Sequence, residues 1–259
     1  MLRSVKEFEK YKIIASDGEI GNAYEFYFDD VKWIMRYLVV ETGNWLSRKQ
    51  VLISPAAVNS ADWKNRTLTL NLTKKQIEDS PDISTDKPVS RQHEVELMNY
   101  YNWPQYWDWE MGMPYAPGAA FMSAAPIVND DVSATTDNTK HSTAPRKGDP
   151  HLRSSREVIG YNIQATDDTV GHVEDFIVDD NSWIIRYMVI DTGNRLIGGK
   201  RVLLAPHWIE RVEWTDSRVH VAISSTSLRN SPPYDPSQTL NRDYEELLYE
   251  YYGLPKYWV

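Results

Sequence analysis

Short apolar runs of strand length dominate the pattern of the first hundred residues. A run from Glu19 to Phe28 ends in the acidic turn Asp29-Asp30, and a second run follows from Trp33 to Glu41. In that second run Trp33, Met35, Tyr37 and Val39 share one face, while Ile34, Arg36, Leu38 and Val40 share the other. Both faces carry apolar side chains, as expected of a strand covered on both sides. Thr42-Gly43-Asn44 supplies left-handed torsions at low cost and leads to a third strand over Gln50 to Ser54. Leu68, Leu70 and Leu72 alternate again. Five or six short strands with no long helix among them predict a small closed or partly open barrel. Helices are expected only after the strands. Thr73 and Gln76 form a capping box for a short helix that stops at Ser80-Pro81, and a second helix covers Glu94 to Tyr101. Asn102 tolerates a left-handed cap there, and Pro104 blocks continuation.

The same pattern then returns. Tyr11 to Asn44 matches Tyr161 to Asn194, with about half of the positions identical. Gly21/Gly171, Phe26/Phe176, Trp33/Trp183, Arg36/Arg186 and Tyr37/Tyr187 are among the identities. After one extra residue in the next loop, Pro55 pairs with Pro206, Trp63 with Trp214, and Tyr106-Trp107 with Tyr257-Trp258. Solenoid repeats run about 20–50 residues, so a period this long is a duplicated domain. Ser224 can cap the later short helix, although Ser227 cannot complete the box. The later second helix, Glu245 to Tyr252, is expected to line Tyr244, Leu247, Leu248, Tyr251 and Tyr252 on one stripe and to stop at Gly253. Residues 1–110 and 150–259 are therefore read as two copies. The Pro-, Ala-, Ser- and Thr-rich stretch 111–149 between them reads as a linker.

Several of these stretches resemble the PRC-barrel family, the β-barrel type of the photosynthetic reaction-centre H subunit and of ribosome small-subunit maturation factors. The resemblance is carried by Trp33-Ile34-Met35-Arg36-Tyr37-Leu38-Val39-Val40, the Thr-Gly-Asn turn and Lys49-Gln50-Val51-Leu52-Ile53-Ser54-Pro55. In the second copy it is carried by Arg186 to Asn194 and Arg201-Val202-Leu203-Leu204-Ala205-Pro206. The Tyr-Tyr-x-x-Pro-x-Tyr-Trp tails are similar to those of bacterial tandem PRC-barrel proteins. The resemblance implies a mainly β chain of two small barrels, each followed by short helices and packed as a pseudo-twofold pair. It also implies a non-catalytic role in protein contact or complex assembly. The H subunit's N-terminal membrane helix has no counterpart here, and the maturation factors precede the PRC barrel with a barrel of another type. Neither of those functions carries over.

Composition narrows the chemistry. A chain 41% hydrophobic and 25% charged is an ordinary globular protein. The absence of cysteine excludes a disulfide framework, a thiolate zinc site and a cysteine nucleophile. The net charge of −9 is shared by both copies and the linker, which disfavours nucleic acid unless a local strip such as Arg195, Lys200 and Arg201 overcomes it. Met1 to Glu7 lacks the apolar stretch of a secretory signal, and no apolar run approaches the roughly 20 residues of a membrane span, so a cytoplasmic protein without membrane insertion is expected.

No Walker loop, nucleophile elbow or dinucleotide fingerprint occurs, and Gly198-Gly199-Lys200 lacks the upstream glycine of a phosphate loop. His93, His141, His151, His172, His207 and His220 mostly have no histidine at the equivalent repeat position, so neither a metal nor a cofactor is expected. Asp29-Asp30 and Asp179-Asp180 lack calcium-loop spacing and read as solvated hairpin turns. The remaining candidates are for contact. Tyr100, Tyr101, Tyr106 and Trp107, with Tyr251, Tyr252, Tyr257 and Trp258, are candidate interface aromatics, for a partner or for the sister barrel. Arg36 and Arg186 are either shared recognition arginines or outward arginines stacked on rings and paired with acids. The expectation is an adaptor that pairs its own barrels, with a homodimer as a further level. The alternatives are an RNA or ribosome-assembly role and an unrecognised enzyme.

Overall fold

A computed structural model describes residues 1–9, 11–43, 49–81, 91–103, 151–193 and 199–258. In the first half β1 (Leu2–Ser4) and the single-turn α1 (Val5–Phe8) precede β2 (Lys12–Ala15), β3 (Gly18–Asp29) and β4 (Ile34–Thr42). There follow β5 (Gln50–Ile53), β6 (Val58–Asp62), β7 (Thr67–Leu70), α2 (Lys74–Glu78) and α3 (Arg91–Tyr101). The second half repeats this order with β8 (Leu152–Ser154), α4 (Ser155–Val158), β9 (Asn162–Gln164), β10 (Thr169–Asp179) and β11 (Ile185–Asp191). It continues with β12 (Arg201–Leu204), β13 (Ile209–Glu213), β14 (Arg218–Val221), α5 (Ser225–Asn230) and α6 (Arg242–Tyr252). The molecule is mainly β, with two seven-stranded sheets and a few short helices. None of the described helices is long and apolar enough to cross a membrane.

The sheets run β5-β4-β3-β2-β7-β6 and β12-β11-β10-β9-β14-β13. Among the described residues only β2 with β7 and β9 with β14 are parallel. Among the described residues the ladder leaves two ends, so the expected barrel is not closed by hydrogen bonds. Those ends are nevertheless neighbours in the chain. A single 3-10 turn, Pro55–Ala57 or Pro206–Trp208, joins β5 to β6 and β12 to β13, so each sheet must curl to bring its edges together. The predicted two-sided cover of β4 is present, since every position from Met35 to Val40 is buried. Gly21 and Gly171 permit the curl. A Cβ at Gly21 would lie 1.9 Å from the Glu41 carbonyl oxygen, and one at Gly171 would lie 1.7 Å from that of Asp191.

Each sheet takes its seventh strand from the other half. The long β3 pairs with β2 only over Gly18–Asn22, which leaves its far end uncovered. That end takes β8 antiparallel, in the register Tyr27–Ser154, Phe28–Arg153 and Asp29–Leu152. In the same way β10 takes β1, with Ser4 opposite Ile177, Arg3 opposite Val178 and Leu2 opposite Asp179. These arms are three residues long, too short for an alternation signal. The repeat of Leu2-Arg3-Ser4 as Leu152-Arg153-Ser154 was the available clue.

Between the arms the two hairpins meet. Ile185 N–H donates to the Trp33 carbonyl at 2.7 Å, and Met35 N–H donates to the Trp183 carbonyl at 2.9 Å. Trp33 and Trp183 are left-handed, with φ of 55° and 57°, so they belong to the turns and β4 begins one residue later than the alternation implied. The strain of roughly 1–2 kcal/mol in such a residue is accepted where the rings pack. Trp183 lies against Phe8 and Phe26 across the halves, and Trp33 stacks on Phe28 at 5.4 Å.

The helix caps follow the sequence. Thr73 and Gln76 make the full box, and Ser224 caps α5 alone. Asn102 and Gly253 are left-handed at the ends of α3 and α6. Both of these helices start three residues before the predicted position, α6 because Asn241 accepts the Tyr244 N–H. The expected stripe on α6 needs correction. Leu247 and Tyr251 face outward, at 54% and 41% exposure, and the buried positions are Glu245, Leu248 and Tyr249, flanked by Tyr244 and Tyr252. Glu245 replaces an apolar residue on the inner face because neighbouring hydroxyls satisfy its carboxylate.

Candidate functional site

The acid pairs expected to be solvated turns are instead the sockets that hold the arms. Asp30 receives Arg153 Nε at 2.9 Å and faces His151 Nδ1 at 3.0 Å. The Arg153 guanidinium also lies 4.0 Å over the Trp214 ring. Asp180 receives Arg3 Nε at 3.1 Å, and Arg3 lies 4.0 Å over Trp63. Each arginine therefore bridges an aspartate of the other half and a tryptophan of its own, a charge-assisted bond with a cation–π contact behind it. The other aspartate of each pair closes its own hairpin. Asp29 accepts the Val31 and Lys32 amides at 3.0 and 2.9 Å, and Asp179 accepts the Asn181 amide at 3.0 Å. The sequence could not supply this pairing, because the partners stand more than a hundred residues away.

Beneath each arginine lies a serine. Ser4 caps α1 and donates to the Asp175 carboxylate, and Ser154 caps α4 and donates to Glu25. Asp175 also accepts the Lys6 amide at 3.1 Å and its neighbour Phe176's amide at 2.7 Å. Burial pushes the Asp175 carboxyl up to about 6 despite these bonds, which pull the other way. Ser155 accepts the buried Phe26 amide at 3.1 Å, which fastens the second arm further.

Arg36 and Arg186 are paired to acids, as one of the two readings held, but Arg36 does not point outward. It is only 6% exposed and donates to Asp29 at 2.8 Å. Burial acts to raise the Asp29 carboxyl, yet the Arg36 bond and the turn amides together hold it below the ordinary carboxylate range. Arg186 stands 3.6 Å from Asp179 and lies 4.3 Å over the Tyr257 ring.

The second-copy tail folds back on its own half. Glu245, 3% exposed, accepts the Tyr187 and Tyr257 hydroxyls on one oxygen, each at 2.7 Å. Its other oxygen faces Arg242 at 3.0 Å. Burial, helped by the bond to Glu245, pushes the Tyr257 hydroxyl up to about 12. Trp258 meets Tyr249 edge-on at 4.9 Å with the Arg242 guanidinium 4.2 Å over its ring, and Tyr252 lies 4.8 Å from Trp208. Of the proposed interface aromatics, Tyr252, Tyr257 and Trp258 thus pack against their own half, and Tyr101 does the same, stacked on Trp103 at 4.3 Å. Tyr106 and Trp107 lie outside the described residues. Tyr100 and Tyr251 alone keep large exposed surfaces, 40% and 41%. Their hydroxyls hold matching carbonyls, Gln76 at 2.8 Å and Ser227 at 2.9 Å, so both rings are fixed at equivalent places.

Of the suggested basic strip, Arg195 lies outside the described residues. Arg201 is held by both oxygens of Glu174 at 2.6 and 2.9 Å, and Lys200 donates to the Arg229 carbonyl at the end of α5. His220 pairs with Glu213, while His207 stacks on Tyr249 and has its proton affinity lowered by burial. Among the described residues no group of three His, Asp or Glu side chains gathers at metal-binding distance. No protein-family model matches this sequence, and no curated protein matches it either.

Proposed function

We propose that the chain is a non-catalytic assembly protein, a pseudo-twofold pair of PRC-type barrels that offers a protein partner two equivalent helix faces. The barrel reading is supported by the curl that each 3-10 turn imposes on sheet edges adjacent in sequence. The pairing is supported by contacts that come in matched sets across the halves, down to Ile34 opposite Ile184.

The observation that carries the functional reading is the fate of the exposed rings. The charged and aromatic side chains at the sockets and in the C-terminal tail are engaged with one another. Tyr100 on α3, and Leu247 with Tyr251 on α6, are exposed, and both tyrosine rings are held by their hydroxyl bonds. Fixed aromatic and aliphatic side chains lose little rotamer entropy on contact, which suits them to protein recognition.

The test is affinity capture from the native cell on immobilised wild type and on the Leu247→Asp/Tyr251→Ala double variant. Unchanged thermal melting establishes that the variant is folded. A specific protein retained at least ten-fold better by the wild type supports the reading, and identical captures overturn it.

A further inference from the structure

We infer that a second copy of this chain is itself a partner: each half holds the arm of the other, so two chains can close half one of each on half two of the other. This goes beyond the helix-face reading and rests on different residues.

The two arms carry the same Leu-Arg-Ser sequence and dock antiparallel over three residues in the same register. Each arginine sits between a hairpin aspartate and a tryptophan at the same 4.0 Å. Each serine caps its helix and donates to a carboxylate, Asp175 in one socket and Glu25 in the other. The backbone bonds between the two hairpins are also reciprocal. Trp33 and Trp183 each accept an amide from the opposite hairpin, and Phe28 packs across the halves on Phe176 at 5.5 Å. An interface in which residue i meets j and the mate of j meets the mate of i is the self-complementary kind that joins identical subunits. Such a surface does not register which chain supplies each half; only the covalent connection through residues 104–150 favours closure within one chain. Joining the two halves covalently raises the concentration of each in the neighbourhood of the other. The single chain therefore dominates in dilute solution, and the exchanged dimer forms when chains close their halves together at high concentration or when self-closure is blocked.

The experiment uses full-length chains with complementary charge inversions. One chain carries Arg3→Asp and Arg153→Asp, the other Asp30→Arg and Asp180→Arg. Each alone sets like charges in both of its sockets. In an exchanged heterodimer every arm meets an opposite charge. The expected result is a 1:1 complex of twice the single-chain mass by light scattering, formed only on mixing or co-expression. Persistence of two separate monomers overturns the inference.

Should either variant fail to fold, wild-type chains with two different tags are refolded together at increasing concentration. A doubly tagged dimer whose share rises with concentration supports exchange, and doubly tagged species absent at every concentration overturn it. Loss of partner capture by the Leu247→Asp/Tyr251→Ala variant leaves both readouts unaffected, so the two proposals fail separately.

Discussion

The arm sockets and the C-terminal tail use the same materials, arginine on aromatic rings beside a carboxylate, and differ in where water is excluded. In the sockets the arginines remain about one-fifth exposed, and they join strands from opposite halves. In the tail Glu245 is fully enclosed and its hydrogen bonds stay within one half, linking α6, β11 and the last residues. Charge pairs at a wet rim contribute modestly and re-form easily, whereas an enclosed carboxylate is costly to strand or to strip of its donors. The tail is thus a permanent lock on the second half's own architecture, and the sockets are joints of moderate strength whose geometry is written twice.

The largest effect is expected at the lock. Glu245→Ala leaves the Tyr187 and Tyr257 hydroxyls and the Arg242 guanidinium without their acceptor, and should cost about 3–5 kcal/mol in urea unfolding. Breaking only one of the bonds, with Tyr257→Phe, should cost about 1 kcal/mol. A loss below 1 kcal/mol for Glu245→Ala would place the tail among the ordinary surface contacts and dissolve the contrast.

The sockets come next. Arg153→Ala removes the bond to Asp30 and the cover over Trp214, and Arg3→Ala does the same at Asp180 and Trp63. Each should cost about 1–2 kcal/mol. Because the sockets and the lock share no partners, either arginine variant combined with Glu245→Ala should be additive within about 0.5 kcal/mol. Strong coupling would mean that lock and joint are one unit. A cycle of Arg153→Ala with Trp214→Leu should show coupling, since those two side chains touch.

How far the sequence reaches follows the same division. Strands were legible where alternation had room to show, as in β3 and β4, and helix ends where a capping side chain is local, as at Thr73 and Gln76. The duplication gave both halves at once. The arms were not legible, because three residues carry no period and their partners lie across the chain. Asp30 and Asp180 looked like any polar turn for the same reason: nothing nearby in sequence predicts an arginine at 2.9 or 3.1 Å. On α6 a helical wheel sorts residues by polarity and so turned Glu245 outward and Leu247 inward. Only the hydroxyls of Tyr187 and Tyr257, brought in by the fold, make the buried carboxylate acceptable.

The finest difference lies between the sockets themselves, in the acid beneath each serine. Asp175 is raised to about 6 by burial, against an ordinary value of 3.8, so the folded state holds its proton more tightly than the unfolded chain does. Its contribution to stability is fully present below the unfolded value and is lost as pH rises through about 6. The surroundings modulate this. Lys6 favours the ionised form, Tyr234 and Glu7 lie close by, and Glu174 is itself held ionised by Arg201 and Lys6. Asp29 and Asp179 work in the opposite sense, since their lowered values give stability that disappears only at lower pH. Comparing wild type with Asp175→Asn between pH 4 and pH 7 isolates the one group. Relative to the variant, the wild type should lose about 2–3 kcal/mol over that interval, read from urea midpoints at each pH. A difference that stays flat across the interval would show that burial does not raise the Asp175 carboxyl. A difference of the opposite sign would mean that the Ser4 and amide bonds outweigh burial, leaving Asp175 ionised beneath a docked arm.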